Sequence, residues 1–240
     1  MTYNLGKYIN RHLSLAANII KDHEPDVLVL NEASWAKCKP HILKKLSAKF
    51  MLPYFLVAKS IKTNNHTVIY SKNKMEDDTT MVNFRNAGII VTVNTKIGDV
   101  SIAGVHLAPN TEDNRLLEIE RIISKQKKSK LKIILGDLNS ISPNNTVISS
   151  LKSHGLPEAV RYDVVNRIKK AGYVDAAVIT QKEQISTVPI TQDNNIIYYN
   201  LRLDYVFLSK SLTERAVNYS VIINEKTRVC SDHYPIMVQI

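Results

Sequence analysis

Several stretches of this chain are unbroken apolar runs that stop at a polar residue. Val27-Leu28-Val29-Leu30 runs into Asn31-Glu32, the stretch ending at Val105 runs into His106, and the stretch ending at Leu135 runs into Gly136-Asp137-Leu138-Asn139. A strand with one face in water alternates apolar with polar, whereas a strand apolar at every position is covered on both faces. The chain must therefore supply layers on both sides of its strands. The helices for this are legible. Ile9, Leu13, Ala16 and Ile20 share one helical face before Pro25. Ile42, Leu43 and Leu46 do the same after Pro40, and Leu116, Ile119, Ile122 and Ile123 mark a helix from about Glu112 to Gln126.

The remaining segments fit between these. Thr2–Leu5 reads as an opening strand, and Tyr54–Ala58 and Thr67–Tyr70 as strands around a polar turn at Asn64-Asn65. Ile89–Val93 and Val100–Val105 flank Gly98-Asp99 as a hairpin. After the strand Lys132–Leu135, the turn-formers from Gly136 to Pro143 predict a loop. Two short helical stretches follow, with Gly155 and Gly172 as stop signals. Gln181–Asn195 is polar and has no clear period, and Leu203–Leu208, Val217–Ile223 and Tyr234–Ile240 read as the last strands. With no repeat or linker, residues 1–240 are expected to form one α/β domain.

Lys plus Arg number 32 and Asp plus Glu 22, a formal charge of +10. That balance, with 44% hydrophobic residues, excludes a disordered chain, a collagen-like repeat and a coiled coil. The excess charge suits a polyanionic partner held through phosphate contacts. The densest cluster, Lys125, Lys127, Lys128, Lys130 and Lys132, reads as the end of a surface helix where cations complement the dipole; direct phosphate contact is the alternative. No run reaches the roughly 18 apolar residues of a membrane span. The start, Met1-Thr2-Tyr3-Asn4-Leu5-Gly6, lacks a secretion-signal pattern, so a cytoplasmic protein is expected. Cys38 and Cys230 are expected to be free thiols.

Glu32 and Asp137 follow apolar strands, Asp204 sits in Leu203-Asp204-Tyr205, and Asp232 adjoins His233. Hard divalent cations take oxygen ligands of this kind, and no Cys- or His-rich zinc spacing is present. A histidine beside a phosphate can hold charged oxygens or move a proton, given a carboxylate such as Asp204 to orient it.

Tyr3-Asn4-Leu5, Val27-Leu28-Val29-Leu30-Asn31-Glu32, Val105-His106-Leu107-Ala108-Pro109, Gly136-Asp137-Leu138-Asn139, Leu203-Asp204-Tyr205 and Ser231-Asp232-His233-Tyr234-Pro235 occur in that order. Together they resemble the endonuclease/exonuclease/phosphatase superfamily, the group of DNase I and the abasic-site endonucleases. The resemblance implies a four-layer α/β fold: a sandwich of two mixed, mostly antiparallel sheets flanked by helices, with the site at one edge between the sheets. It also implies roles. Glu32 would be the main Mg²⁺ ligand (Mn²⁺ being the alternative), helped by Asn4 and Asp232. Asp137 would orient or deprotonate water, and Asn139 would hold phosphate or that water. His233, backed by Asp204, and His106 would contact the phosphate. The implied reaction is metal-assisted hydrolysis of a phosphodiester, by an endonuclease acting on DNA or RNA. The alternative is a phosphatase or a phospholipid or inositol phosphodiesterase. No obligate protein partner is implied.

Some residues depart from the pattern. Asn31 stands where the family usually has Gln, and His106 stands where abasic-site enzymes usually place Tyr. No acidic residue stands out to orient His106; Asn65 and His66 lie near that point. The only Trp is Trp35, so the Trp-containing start of the abasic-site enzymes is missing. The Leu138–Pro143 and Thr187–Ile190 segments resemble little-characterised intracellular microbial members. Arg115 and Glu118 are expected to form a surface i, i+3 ion pair rather than to brace the active-site loop. Tyr198 and Tyr199 are expected to pack on the sheet. The lysine-rich surface is expected to guide a phosphate backbone toward the carboxylates.

Overall fold

In the computed structural model the described residues are 1–6, 9–34, 40–81, 83–144, 161–188, 192–193, 196–197 and 201–240. The chain starts with β1 (Thr2–Asn4), α1 (Ile9–His23), β2 (Val27–Asn31), α2 (Pro40–Phe50), β3 (Tyr54–Ala58) and β4 (Thr67–Ser71). It continues with β5 (Met75–Thr80), β6 (Ala87–Thr95), β7 (Gly98–His106), α3 (Glu112–Lys125) and β8 (Leu131–Asp137). Then come a helix at Asp163–Lys170, β9 (Tyr173–Asp175), the small pair β10 (Gln192–Asp193) and β11 (Ile196–Ile197), β12 (Asp204–Ser209), β13 (Asn218–Val221) and β14 (Ile236–Gln239). Two six-stranded sheets result, ordered β13-β14-β1-β2-β4-β3 and β5-β6-β7-β8-β12-β9.

Each sheet is built around one crossover unit. β1 and β2 are parallel and joined through α1, and β7 and β8 are parallel and joined through α3. A parallel pair needs such a crossover, and it brings both strands out at the same end. Asn4 therefore pairs in register with Asn31, and His106 with Asp137. β12 runs antiparallel to β8, which sets Asp204 opposite Asp137. The remaining neighbours are antiparallel.

The apolar runs have the expected cause. On β2, Leu28 and Leu30 face α1 and α2, while Val29 faces the other sheet. On β12, Val206 and Leu208 point between the sheets, and Tyr205 and Phe207 point toward α3. Alternate residues thus fill different cores, and the layers stack helix, sheet, sheet, helix. Full burial of each such Leu, Ile or Val contributes about 1.5–3 kcal/mol.

The structure differs from the sequence reading in several places. The predicted loop at Gly136 begins two residues later, because Gly136 and Asp137 continue β8. Gly136 has φ 137°, and a Cβ there would lie 1.9 Å from the Val105 carbonyl oxygen, so the glycine lets two strand backbones pass closely. β5 and β9 were not anticipated. β5 is an edge strand of sequence Met-Glu-Asp-Asp-Thr-Thr with its middle residues exposed, so no apolar run announces it. Gly172 follows the helix Asp163–Lys170 as expected. Cys230 is a buried free thiol. Trp35, Cys38, Gly155, Pro189, Ile190, Tyr198 and Tyr199 lie outside the described residues.

Candidate active site

The two crossover units deliver their strand ends to one place. Asn4 ends β1 and Glu32 follows β2; His106 ends β7 and Asp137 ends β8. Glu32 and Asn139 both hold left-handed backbones, with φ 56° and 48°. Such conformations cost of order 1–3 kcal/mol in non-glycine residues and cluster where geometry is imposed for function.

Asp137 is the hub. Its Oδ2 accepts from Asn4 Nδ2 at 2.9 Å, with His106 Nε2 at 3.5 Å and His233 Nε2 at 3.9 Å. Its Oδ1 accepts from the Asn139 backbone N–H at 2.8 Å, and its own N–H donates to Asn31 Oδ1 at 3.2 Å. The departure Asn31 thus supports Asp137, with its own amide held by Thr67 Oγ1. Asn4 also donates to Glu32 Oε1 at 3.4 Å, while its Oδ1 accepts from Gly6 N–H. Asn4 therefore points its NH₂ at both carboxylates. Asn139 donates its side-chain amide to the Leu107 carbonyl at 3.0 Å, which ties the β8 exit to the β7 exit.

His233 Nδ1 lies 2.8 Å from Asp204 Oδ2. Burial works against its charge, but the Asp204, Asp137 and Asp232 carboxylates prevail and raise its pKa to about 10. Asp204 is held in turn: Thr187 Oγ1 accepts from the N–H groups of Leu203 and Asp204, and the Thr187 carbonyl accepts from Tyr234 N–H. Asp232 is exposed, and its Oδ1 sits so close to Gly6 that a Cβ there would meet it at 2.3 Å. All eight predicted residues thus converge on one end of the sandwich, with Asp137, Asp204 and His233 buried and Glu32 half-buried. Ligand atoms of Asp137, Asp204 and His233 lie within 4.8 Å of one another, a group able to hold a cation.

Among structures, the fold matches the endonuclease/exonuclease/phosphatase family protein from Leptotrichia buccalis C-1013-b at TM-score 0.69 and 18% identity, covering 100% of this chain and 97% of that one. It matches an AP endonuclease from Archaeoglobus fulgidus at TM-score 0.73 and 20% identity, covering 98% and 96%. It also matches the 3′ phosphatase NExo from Neisseria, bound to product DNA hairpin, at TM-score 0.76 and 18% identity, covering 99% and 97%. No curated protein sequence matches the chain. The family model for the Endonuclease/Exonuclease/phosphatase family matches residues 1–233. The chain belongs to this family. It is accordingly a phosphoric ester hydrolase, from a family whose members depend on a divalent metal.

For a member of this family, two features of α3 were misread from sequence. Arg115 pairs with Glu112 at 2.9 Å rather than with Glu118, and it donates to the Ala108 carbonyl at 3.0 Å. Glu118 points inward and accepts the backbone N–H groups of Arg85 at 2.7 Å and Ala108 at 2.8 Å. Burial raises the Glu118 pKa, against those two donors and the charges of His106 and Lys62. Glu112 accepts from Ser140 Oγ and Val164 N–H. α3 therefore braces the exits of β7 and β8, a role its i, i+3 spacing did not announce. His106 Nδ1 is buried with no hydrogen-bond partner among the described residues, so neither Asn65 nor His66 orients it.

Glu118→Gln is expected to cost on the order of 1–3 kcal/mol, because one buried N–H would face an amide NH₂. The variant should melt earlier and turn over more slowly, measured by thermal denaturation and steady-state kinetics; unchanged values in both would refute the bracing role.

The lysine cluster lies elsewhere. Lys130 and Lys132 flank the start of β8 and Asp137 ends it, six residues from its first, so about 20 Å separates them. It does not border the site carboxylates. A cavity of about 690 Å³ also opens at the far end, near Met1, Thr95 and Ile240, and contains none of the site residues. No helix among the described residues is long and apolar enough to cross a membrane.

Proposed function

We propose that this protein is a Mg²⁺-dependent phosphodiesterase that cleaves DNA or RNA internally, with Mn²⁺ as a substitute metal. The observation that carries the reading is Asp137, a buried carboxylate whose Oδ2 is approached by the Nε2 atoms of both His106 and His233. A carboxylate so placed can accept a proton from water while the imidazoles face the negative phosphate.

The donor set fits a hard cation, since Glu32 and Asp232 offer carboxylate oxygens at the solvent-facing side of the site. Asn4 positions Glu32 and Asp137 through its NH₂, and its carbonyl oxygen, which accepts one hydrogen bond from Gly6 N–H, keeps a second lone pair for a third ligand to the cation. His233 Nδ1 is taken by Asp204, so the buried Asp137, Asp204 and His233 serve proton and phosphate chemistry, and Glu32 and Asp232 would hold the cation. When bound, the metal supplies positive charge to the phosphate oxygens. His233, as an imidazolium, neutralises charge that grows on the phosphate, and His106, whose Nε2 also lies beside Asp137, adds a second imidazole contact to it. Asn139, fixed by Asp137 and Leu107, orients the water or a phosphate oxygen. Asp137 takes the proton of the attacking water.

The DNA-bound 3′ phosphatase and the AP endonuclease among the structural neighbours support nucleic acid as substrate, as does the basic charge. The test is a panel of labelled plasmid, single-stranded DNA, RNA, an abasic duplex, an inositol phosphate and sphingomyelin, with Mg²⁺ or EDTA. Internal cleavage of nucleic acid in Mg²⁺, abolished by EDTA, is expected. Turnover of the lipid or inositol phosphate alone would replace this reading with the phosphoesterase alternative.

A further inference from the structure

We propose that the end of the second sheet opposite the active site is a separate binding surface for the phosphodiester backbone of a nucleic acid. Nine lysines reach this end from five segments. Lys96 lies in the β6–β7 turn, Lys125, Lys127 and Lys128 close α3, and Lys130 and Lys132 flank the start of β8. Lys169 and Lys170 end the helix Asp163–Lys170, and Lys210 follows β12.

Their proximity follows from the packing beneath them. Gln126, fully buried at the end of α3, donates its amide to the Ser101 and Ile133 carbonyls and to Ser101 Oγ. Its Oε1 accepts from Tyr173 Oη at 2.9 Å. Tyr173 comes three residues after Lys170, and Lys132 Nζ lies 4.9 Å from the centre of its ring. Ser209 pairs with Tyr173 on the neighbouring strand, accepts the Lys132 backbone N–H, and is followed by Lys210. The β6–β7 turn closes the other side, where a Cβ on Gly98 would touch Leu131 at 3.6 Å. A rigid polar hub thus gathers lysines that are distant in sequence.

The charge is uncompensated. None of the nine forms an ion pair among the described residues, although lysines elsewhere do. Among the described residues Asp99 and Glu214 adjoin these segments in sequence, and Glu24 and Asp26 line the same cavity as Lys96, but none pairs with these lysines: Asp99 accepts from Asn94 and Asp26 pairs with Lys72. Seven of the nine ammonium-bearing residues are exposed. A helix end needs one or two cations to complement its dipole, not this number. Clustered Lys on one face is the footprint of phosphate-backbone binding, in which released counterions drive association. A lipid-binding surface would add exposed apolar side chains to insert. The large exposed apolar residues Met51, Ile61, Leu117 and Val217 lie outside these segments, and Ile240, which lines the same cavity as Lys96, is a single side chain rather than an inserting patch. Nucleic acid is therefore favoured over an anionic membrane.

The surface is about 20 Å from Asp137, so it binds a part of the polymer that is not being cut, or a second strand. The test uses the full chain carrying Lys→Gln at 125, 127, 128 and 130, all exposed positions. In EDTA, anisotropy titrations with a 40-base-pair DNA, a 40-nucleotide RNA and phosphatidylserine vesicles compare it with the unaltered protein. A loss of tenfold or more in nucleic-acid affinity is expected, with the log–log salt slope reduced by about three. Lys96→Gln with Lys210→Gln should give a smaller loss in the same direction. Turnover of bis(4-nitrophenyl) phosphate in Mg²⁺ should not change. Equal affinity and slope in the two proteins overturn the proposal, as does lysine-dependent binding to vesicles but to neither nucleic acid. If no phosphodiester is hydrolysed at all, the catalytic reading fails while the titrations still decide this one.

Discussion

Asp137→Asn is expected to lower the rate of phosphodiester hydrolysis by about three orders of magnitude or more while the protein still folds. A positioned base contributes roughly 10²–10⁴ in rate, and its charge also holds two imidazoles in place. The substitution keeps the shape, so the Asn139 N–H retains an acceptor at the position of Oδ1. At the position of Oδ2 an NH₂ would meet the NH₂ of Asn4, now 2.9 Å away. That donor-against-donor contact costs about 1–3 kcal/mol, so a lower but still cooperative melt is expected. The measurement pairs initial rates on the best substrate of the cleavage panel with thermal denaturation. A folded variant within tenfold of the unaltered rate would remove Asp137 from the mechanism.

The parts of this fold that were legible share one property: each is dictated by local pattern. Val27–Leu30 and the stretch ending at Leu135 read as strands because both faces are buried, and the polar residues after each run, Asn31-Glu32 and Asp137, read as a site because no core needs them there. β5 was illegible because an edge strand with exposed acidic residues has no apolar signature. Glu118 was misread because a carboxylate at i+3 from an arginine is nearly always a surface partner. Its actual role depends on two backbone N–H groups, Arg85 and Ala108, brought near by β6 and β7. Thr187 is a similar case. It binds Leu203 and Asp204 across a long sequence gap, and nothing around it signals that. Long-range hydrogen bonding to backbone is the information a single sequence does not display. The same holds for the lysines, whose clustering was visible but whose distance from Asp137 needed the direction of β8.

Asp204→Asn is expected to move the alkaline limb of the pH–rate profile downward and to reduce the rate at neutral pH by two or more orders of magnitude. In the unaltered protein the His233 pKa is raised from its ordinary 6.5 to about 10, against the effect of burial, with Asp204 the leading favourable cause. A cationic His233 is then present throughout neutral pH and is lost as pH rises through about 10. Removing the Asp204 charge leaves burial opposed only by Asp137 and Asp232, so the pKa must fall and the neutral ring must appear at lower pH. Charge stabilisation of the phosphate would be lost with it. Stability follows the same sign. A raised folded-state pKa contributes stability that is complete below about pH 6.5 and disappears as pH approaches 10, so the EDTA-treated protein should melt progressively earlier across that window. In Asp204→Asn this part of the pH dependence should shrink. Rates measured from pH 5 to 10.5 on both proteins, with melts in EDTA, decide it. If the alkaline limb stays where it is, Asp204 does not set the charge of His233, and its hydrogen bond does no more than hold the ring.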